Sequence, residues 1–143
     1  MDFRGRVVVV TGASSGIGRQ VAVDFAARGA SVVISARRAE QLADTARACE
    51  AAGGIVEAMV GDVGERAFVE GMVGRAVERF GRVDVVVNNA GVTKHKQLYA
   101  VTADEIDYVL RVNFLAAAST NSTTSIPRTM VASYRSPRRS GIR

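Results

Sequence analysis

The sequence predicts an α/β fold, with a parallel sheet of about four strands and helices on its faces. Three observations predict it. Apolar, β-branched runs recur at Val7–Val10, Ser31–Ala36, Ile55–Val60 and Val83–Val87. Stretches with helical spacing separate them. Glycines punctuate the joins at Gly29, Gly53-Gly54 and Gly81. Strands alternating with helices make right-handed crossovers, and hence a parallel sheet. The 143 residues suffice for one domain with a real core.

The first strand opens with four valines, Val7 to Val10, a run suited to burial on both faces of a parallel sheet. Thr11-Gly12-Ala13-Ser14-Ser15-Gly16-Ile17-Gly18 follows, and then a helical stretch, Arg19–Arg28, stopped by Gly29. Strand, glycine-rich turn and helix in this order provide what a phosphate site needs. Glycines allow a tight turn and close backbone approach, and the helix start aims free N–H groups and its dipole at an anion. The alternative is an ordinary strand-to-helix turn with no ligand.

The second strand, Ser31–Ala36, runs into Arg37 and Arg38. In a dinucleotide fold this strand end meets the adenosine ribose. An acid there would bond the 2′-hydroxyl of NAD. Guanidinium groups favour the 2′-phosphate of NADP through paired, charge-assisted hydrogen bonds. NADP is therefore the expected cofactor, with NAD the other candidate; the alternative is two solvated arginines at a helix start.

An alanine-rich helix is expected over Ala39–Ala52, holding Cys49 as a small helix residue. After the third strand comes Gly61-Asp62-Val63, where Asp62 can cap the next helix. That helix, Glu65–Phe80, has an apolar stripe of Phe68, Met72, Val73, Ala76, Val77 and Phe80. Gly71 and Gly74 weaken it by up to ~1 kcal/mol each unless close packing requires them. The fourth strand leads into Asn88-Asn89-Ala90-Gly91. A loop over Val92–Ala100 carries the single histidine, His95, which cannot form a metal site alone; no metal is expected. Thr102 and Glu105 match a capping box for a helix with Ile106, Val109, Leu110, Asn113 and Phe114 on its apolar side. An amide at Asn113 on that side calls for a partner.

The T-G-x-x-x-G-x-G of Thr11–Gly18 and the N-N-A-G of Asn88–Gly91 together resemble the signatures of the short-chain dehydrogenase/reductase family. The resemblance covers residues 3 to about 117. It implies a Rossmann-type domain and hydride transfer between a nicotinamide and a small alcohol or carbonyl substrate. It also implies that Gly12, Ala13, Ser14, Ser15, Gly16, Ile17 and Gly18 hold the cofactor together with Arg37 and Arg38. Asp62 and Val63 resemble the pair that contacts the adenine, and Asn89, Ala90 and Gly91 resemble the group that approaches the cofactor. Asn113 aligns with the asparagine that completes a proton relay through a bound water.

The family's catalytic serine, and its Y-x-x-x-K pair, are not matched. Tyr134 and Arg138 have the spacing, but Arg keeps its proton and Pro137 between them breaks a helix. The expectation is an oxidoreductase by family whose cofactor half is present. The other reading is an inactive nucleotide-binding module or a truncated product. Family members are usually homo-oligomeric, and the helices that form their interfaces are incomplete here.

Composition changes near residue 118. Residues 119–143 hold five arginines and no acid, which accounts for the whole net charge of +5. The expected organisation is therefore a partial Rossmann domain over 1–118 and a basic, Ser/Thr/Arg-rich disordered tail over 119–143. With Tyr134 as its single aromatic, the tail is a poor stacking surface, and no nucleic-acid partner is expected. One cysteine forbids an internal disulfide, and no apolar run approaches the roughly 20 residues of a membrane span. A cytoplasmic protein without a membrane partner is expected. Back-translated from Met130 with degenerate codons and read from the third nucleotide, the tail permits a sequence resembling G-R-I-V-S-I-S-S-x-x-G, the family's serine-bearing fifth strand. A one-base shift between about Leu115 and Met130 would explain the tail; encoding DNA without that alternative frame rules it out.

Overall fold

The computed structural model describes residues 2–93, 101–123 and 130–133. Strands β1 (Val7–Thr11), β2 (Ser31–Ala36), β3 (Ile55–Val60), β4 (Val85–Asn88) and β5 (Met130–Ser133) form one sheet. Helices α1 (Gly16–Ala27), α2 (Ala39–Ala51) and α3 (Arg66–Phe80) alternate with the first four. After β4, α4 (Ala103–Leu110) continues through a π-helical turn (Arg111–Leu115) into α5 (Ala116–Thr123). The strand order is β3-β2-β1-β4-β5, and every pair is parallel. The chain thus crosses from one side of β1 to the other between β3 and β4, which leaves a crevice at the carboxyl ends of β1 and β4.

The valines of β1 explain its central place. Val8 and Val10 pack with Val32, Ile34, Ala22, Ala26 and Leu42 on the face covered by α1 and α2. Val9 packs with Val33, Val86, Met72 and Ala76 on the face covered by α3. Burying such a side chain contributes about 1.5–3 kcal/mol, so both faces of one strand stabilise the fold. Cys49 is buried in the first of these clusters.

Strand β4 begins two residues later than the apolar run suggests. The Asp84 amide donates to Val7 O at 2.8 Å, and its carboxylate accepts from Val7 N at 2.9 Å. Arg6 and Arg82 also pair with that carboxylate. Burial pushes the Asp84 carboxyl upward, but the Val7 amide and the two guanidinium groups outweigh it and hold the carboxyl below its usual range.

Four further differences from the sequence reading have physical causes. The sheet has five strands rather than four, because Met130–Ser133 pairs with Val85–Asn88. Helix α5 also runs past residue 118, so the segment read as a wholly irregular tail supplies part of a helix and a strand. The apolar run of that strand, Met130-Val131-Ala132, is too short to stand out among the Ser, Thr and Arg around it. On α3, Val77 is exposed while Val69 joins Met72, Val73 and Ala76 inside. The stripe expected on α4 faces outward: Ile106, Leu110 and Phe114 are exposed, and Val112 and Ala116 are buried instead. Spacing marks an apolar stripe but not the side it presents, and the π-turn shifts the phase of the helix partway along.

His95 lies outside the described residues, as do Tyr134, Pro137 and Arg138. Among the described residues no group of three or more His, Cys, Asp or Glu could hold a metal. No described helix is long and apolar enough to cross a membrane.

Cβ atoms built at Gly71 and Gly74 meet nothing within 4 Å, so packing does not require either glycine. Gly71→Ala and Gly74→Ala are each expected to stabilise the fold by about 0.5–1 kcal/mol, seen as a raised urea midpoint at unchanged slope. Asp84→Asn is expected to cost about 1–3 kcal/mol at neutral pH. Because the folded carboxyl lies below the unfolded value of about 3.9, its contribution is full above that pH and is lost as the pH falls through the folded value. Urea midpoints of the two proteins should therefore converge in acid.

Candidate cofactor cleft

At the carboxyl ends of β1 and β4 the two backbones approach closely. Gly12 has φ +67°, and a Cβ there would lie 2.7 Å from the Ala90 Cα. Glycine is required on both grounds. Asn89 secures the junction: its Nδ2 donates to Thr11 O at 3.2 Å and Gly12 O at 3.1 Å. The Thr11 hydroxyl accepts from the amides of Asn89 and Ala90, both at 3.1 Å, and donates to Val87 O at 3.4 Å. A Cβ on Gly18 would collide with Asn89 Nδ2 and Gly12 O, so this glycine keeps α1 tight against the turn.

Ser15 stands at the N-cap of α1, yet its side chain makes no cap bond. Its hydroxyl accepts from Arg38 Nη2 at 2.7 Å, and the Ser14 hydroxyl accepts from the same atom at 3.0 Å. The start of α1 has neither a side-chain cap nor an acid in its first turn. It keeps its unsatisfied amides and its positive dipole end. Gly16 has φ +56°, and a Cβ there would meet nothing within 4 Å.

A cleft of about 500 Å³ gathers most of the residues singled out in the sequence. Gly12, Ser14 and Ser15 line it from the turn, and Arg37 and Arg38 from the end of β2. Asp62 and Val63 line it from the end of β3, and Asn89, Ala90 and Gly91 from the end of β4. Ala13 instead points into the core, where its amide donates to Ser35 O at 3.0 Å and its carbonyl accepts from Thr45 at 2.9 Å. Gly16, Ile17 and Gly18 are not among the lining residues; Ile17 is exposed and Gly18 buried.

Asn113 sits in the π-turn, beside the cleft rather than in its wall. Its Oδ1 accepts from Val92 N, and its Nδ2 donates to Val92 O, each at 2.8 Å. Val92 follows Gly91 and lines the cleft. The amide that called for a partner thus spends both halves of its side chain on one peptide unit.

Asp62 makes a turn with its own neighbour: Oδ1 accepts from Gly64 N at 2.8 Å, so it closes the loop before α3, whose N-cap is Glu65. Its Oδ2 accepts from the Tyr108 hydroxyl at 2.8 Å. That hydroxyl accepts in turn from Arg37 Nη1 at 2.5 Å. Burial, and then the Asp62 carboxylate, hold the Tyr108 phenol above its ordinary value, so it is a donor at neutral pH. Thr11 and Tyr108 are the participants that sequence reasoning missed. Thr11 stands in the quoted turn, but only its contact with β4 reveals its use; nothing local ties Tyr108 to residues 46 and 71 positions away.

The comparisons with known proteins agree with this geometry. A family model described as short chain dehydrogenase matches residues 6–136. The (2S)-[(R)-hydroxy(phenyl)methyl]succinyl-CoA dehydrogenase subunit BbsD of Thauera aromatica is 39% identical over 113 residues, which is 79% of this chain and 46% of that protein. The 3-oxoacyl-[acyl-carrier-protein] reductase FabG of Thermotoga maritima is 35% identical over the same shares of each chain. A Burkholderia cenocepacia short-chain dehydrogenase, solved in complex with NADP, superposes with a TM-score of 0.83 at 34% identity; 87% of this chain and 51% of that one are covered. A Burkholderia phymatum relative solved with NAD gives 0.80 at 34% identity, over 86% and 44%. The chain spans about half the length of these relatives. With its glycine turn, its N-N-A-G and its strand order all in place, the chain belongs to the short-chain dehydrogenase family.

Proposed function

We propose that these residues form the dinucleotide-holding half of an oxidoreductase that exchanges hydride with an alcohol or carbonyl, and that its cofactor is NADP in preference to NAD. One observation carries the reading. The start of α1, uncapped by any side chain, opens on the same cleft as two arginines at the end of β2. Backbone amides of the Gly12–Gly18 turn would take the pyrophosphate. Arg37 and Arg38 would take a 2′-phosphate, which guanidinium binds with more than one hydrogen bond. Asp62 and Val63 would meet the adenine, and the small Ala90 and Gly91 would admit the cofactor alongside β4. The complexes of the two Burkholderia relatives, one with NADP and one with NAD, support the class of ligand.

When bound, the nicotinamide supplies or accepts the hydride. The chain's own contribution is to bind, orient and screen. Asn113 would serve the proton path through a bound water from its place beside the cleft, where its side chain holds the Val92 peptide. A serine, tyrosine and lysine are needed to polarise the substrate oxygen and move its proton. Matches to them are not found in these 143 residues. Cofactor binding without appreciable turnover is the expected behaviour of residues 1–143 by themselves.

NADPH fluorescence should saturate on titration with the 143-residue chain, while carbonyl reduction stays near background. Gly16→Asp brings a negative charge to the start of α1 at a position where an added Cβ meets no atom of another part of the fold within 4 Å. Aspartate tolerates positive φ and suits a helix start, so the thermal midpoint should hold within a few degrees while NADPH affinity falls more than about tenfold. Robust NADPH-dependent reduction by the chain, or unchanged affinity in the variant, overturns the reading.

A further inference from the structure

The two arginines at the end of β2 are held by different partners. Arg38 is drawn toward the glycine turn by the hydroxyls of Ser14 and Ser15. Arg37 is drawn the other way, toward α4, by the hydroxyl of Tyr108. Tyr108 is itself fixed. Its hydroxyl donates to Asp62, whose second oxygen is tied to the Gly64 amide. Its ring packs against the cluster of Val63, Val69 and Val112.

Arginine is a poor ligand until its position is set. A free guanidinium on an exposed stem gives up roughly 2 kcal/mol of rotamer freedom when it docks. Tyr108 takes one of the five guanidinium N–H groups and leaves the others for a ligand. It also relays the Asp62 charge through a neutral hydroxyl. No direct Arg37–Asp62 ion pair forms, so the positive charge of Arg37 is not cancelled by contact. An arginine held in this way is prepared for a phosphate, whereas a bare 2′-hydroxyl gains little from it.

We propose that Tyr108 is a positioning residue for cofactor selectivity, holding Arg37 at the adenosine end of the cleft and so favouring a 2′-phosphorylated dinucleotide over its unphosphorylated counterpart. The proposal rests on the cofactor reading above and assigns a role in it to a side chain outside the signature motifs.

The test compares dissociation constants for NADPH and NADH, by fluorescence titration of the full 143-residue chain. Tyr108→Phe removes one oxygen and keeps the ring. It should weaken NADPH about three- to tenfold, the value of one hydrogen bond, and leave NADH within about twofold. Tyr108→Leu removes the same hydroxyl with a different shape and should shift the ratio in the same direction, so the result does not hang on one variant's folding. In an Arg37→Gln background, Tyr108→Phe should have no further effect on NADPH, because its partner is gone. Equal losses for both nucleotides, an unchanged ratio, or an undiminished effect in the Arg37→Gln background would each overturn the role of Tyr108 while leaving the cleft a dinucleotide site. So would a wild-type chain that binds NADH as tightly as NADPH. A wild-type chain that binds neither nucleotide sinks the cofactor reading itself, and this proposal with it.

Discussion

Two carbonyl groups at the end of β1 have no neighbouring strand to bond, and one asparagine side chain answers both. Thr11 O and Gly12 O converge on Asn89 Nδ2 because the chain leaves β1 and β4 at the same level, at the point where the strand order reverses. Parallel strands that end side by side expose backbone groups that water cannot easily reach once helices cover both faces. The Thr11 hydroxyl completes the arrangement by taking the first two amides beyond β4. This lock holds the crevice open and its walls fixed. The Gly12 backbone stays against Ala90, the start of α1 stays at the crevice mouth, and no side chain from either strand end fills the space between. The same constraint makes glycine unavoidable at positions 12 and 18, for reasons of close backbone approach and before any ligand is considered.

The buried parallel sheet was legible because its strands are apolar on both sides. Val7–Val10 need no partner information to be read as a central strand, and both neighbouring clusters use them. The cleft residues were legible for a related reason. Each follows a strand directly, and the carboxyl ends of parallel strands lie together by construction. The elements that escaped depend on distant contacts. Strand β5 is made by pairing with β4 rather than by its own composition. The outward face of α4 follows from the way its continuation is tethered. Ala13 and Gly18 belong to the turn motif, but they serve its packing against β2, α2 and Asn89.

The tether on the α4–α5 helix shows how a local irregularity serves a distant site. In the π-turn the Ala116 amide reaches back to Arg111 O, one residue further than in an α-helix. Such turns cost regular hydrogen bonding and persist where something compensates. Here the compensation is visible: Asn113 makes two 2.8 Å bonds to the peptide of Val92, while Val112 and Ala116 remain buried against Val63 and Val69. A regular helix would turn one of these away, either the amide from Val92 or the apolar pair from its cluster. The loop that follows Gly91 is thereby fastened to a helix, and the far wall of the cleft gains a rigid support.

Charge in the cleft follows the same logic of fastening. Arginines are mobile by default, and Arg37 and Arg38 are both exposed. Each is restrained by a hydroxyl and not by a carboxylate, Arg38 on Ser14 and Ser15, Arg37 on Tyr108. A carboxylate partner would restrain them more strongly, but it would also consume the positive potential that an anionic ligand needs. Elsewhere on the molecule arginine is spent in the opposite way: Arg75 and Arg79 close directly on Glu57, and Arg6 and Arg82 on Asp84. Cations neutralised by acids support the fold, and cations held by hydroxyls stay available to a ligand. The second kind is concentrated where the helix dipole of α1 already favours negative charge, so two independent sources of positive potential meet in one cleft.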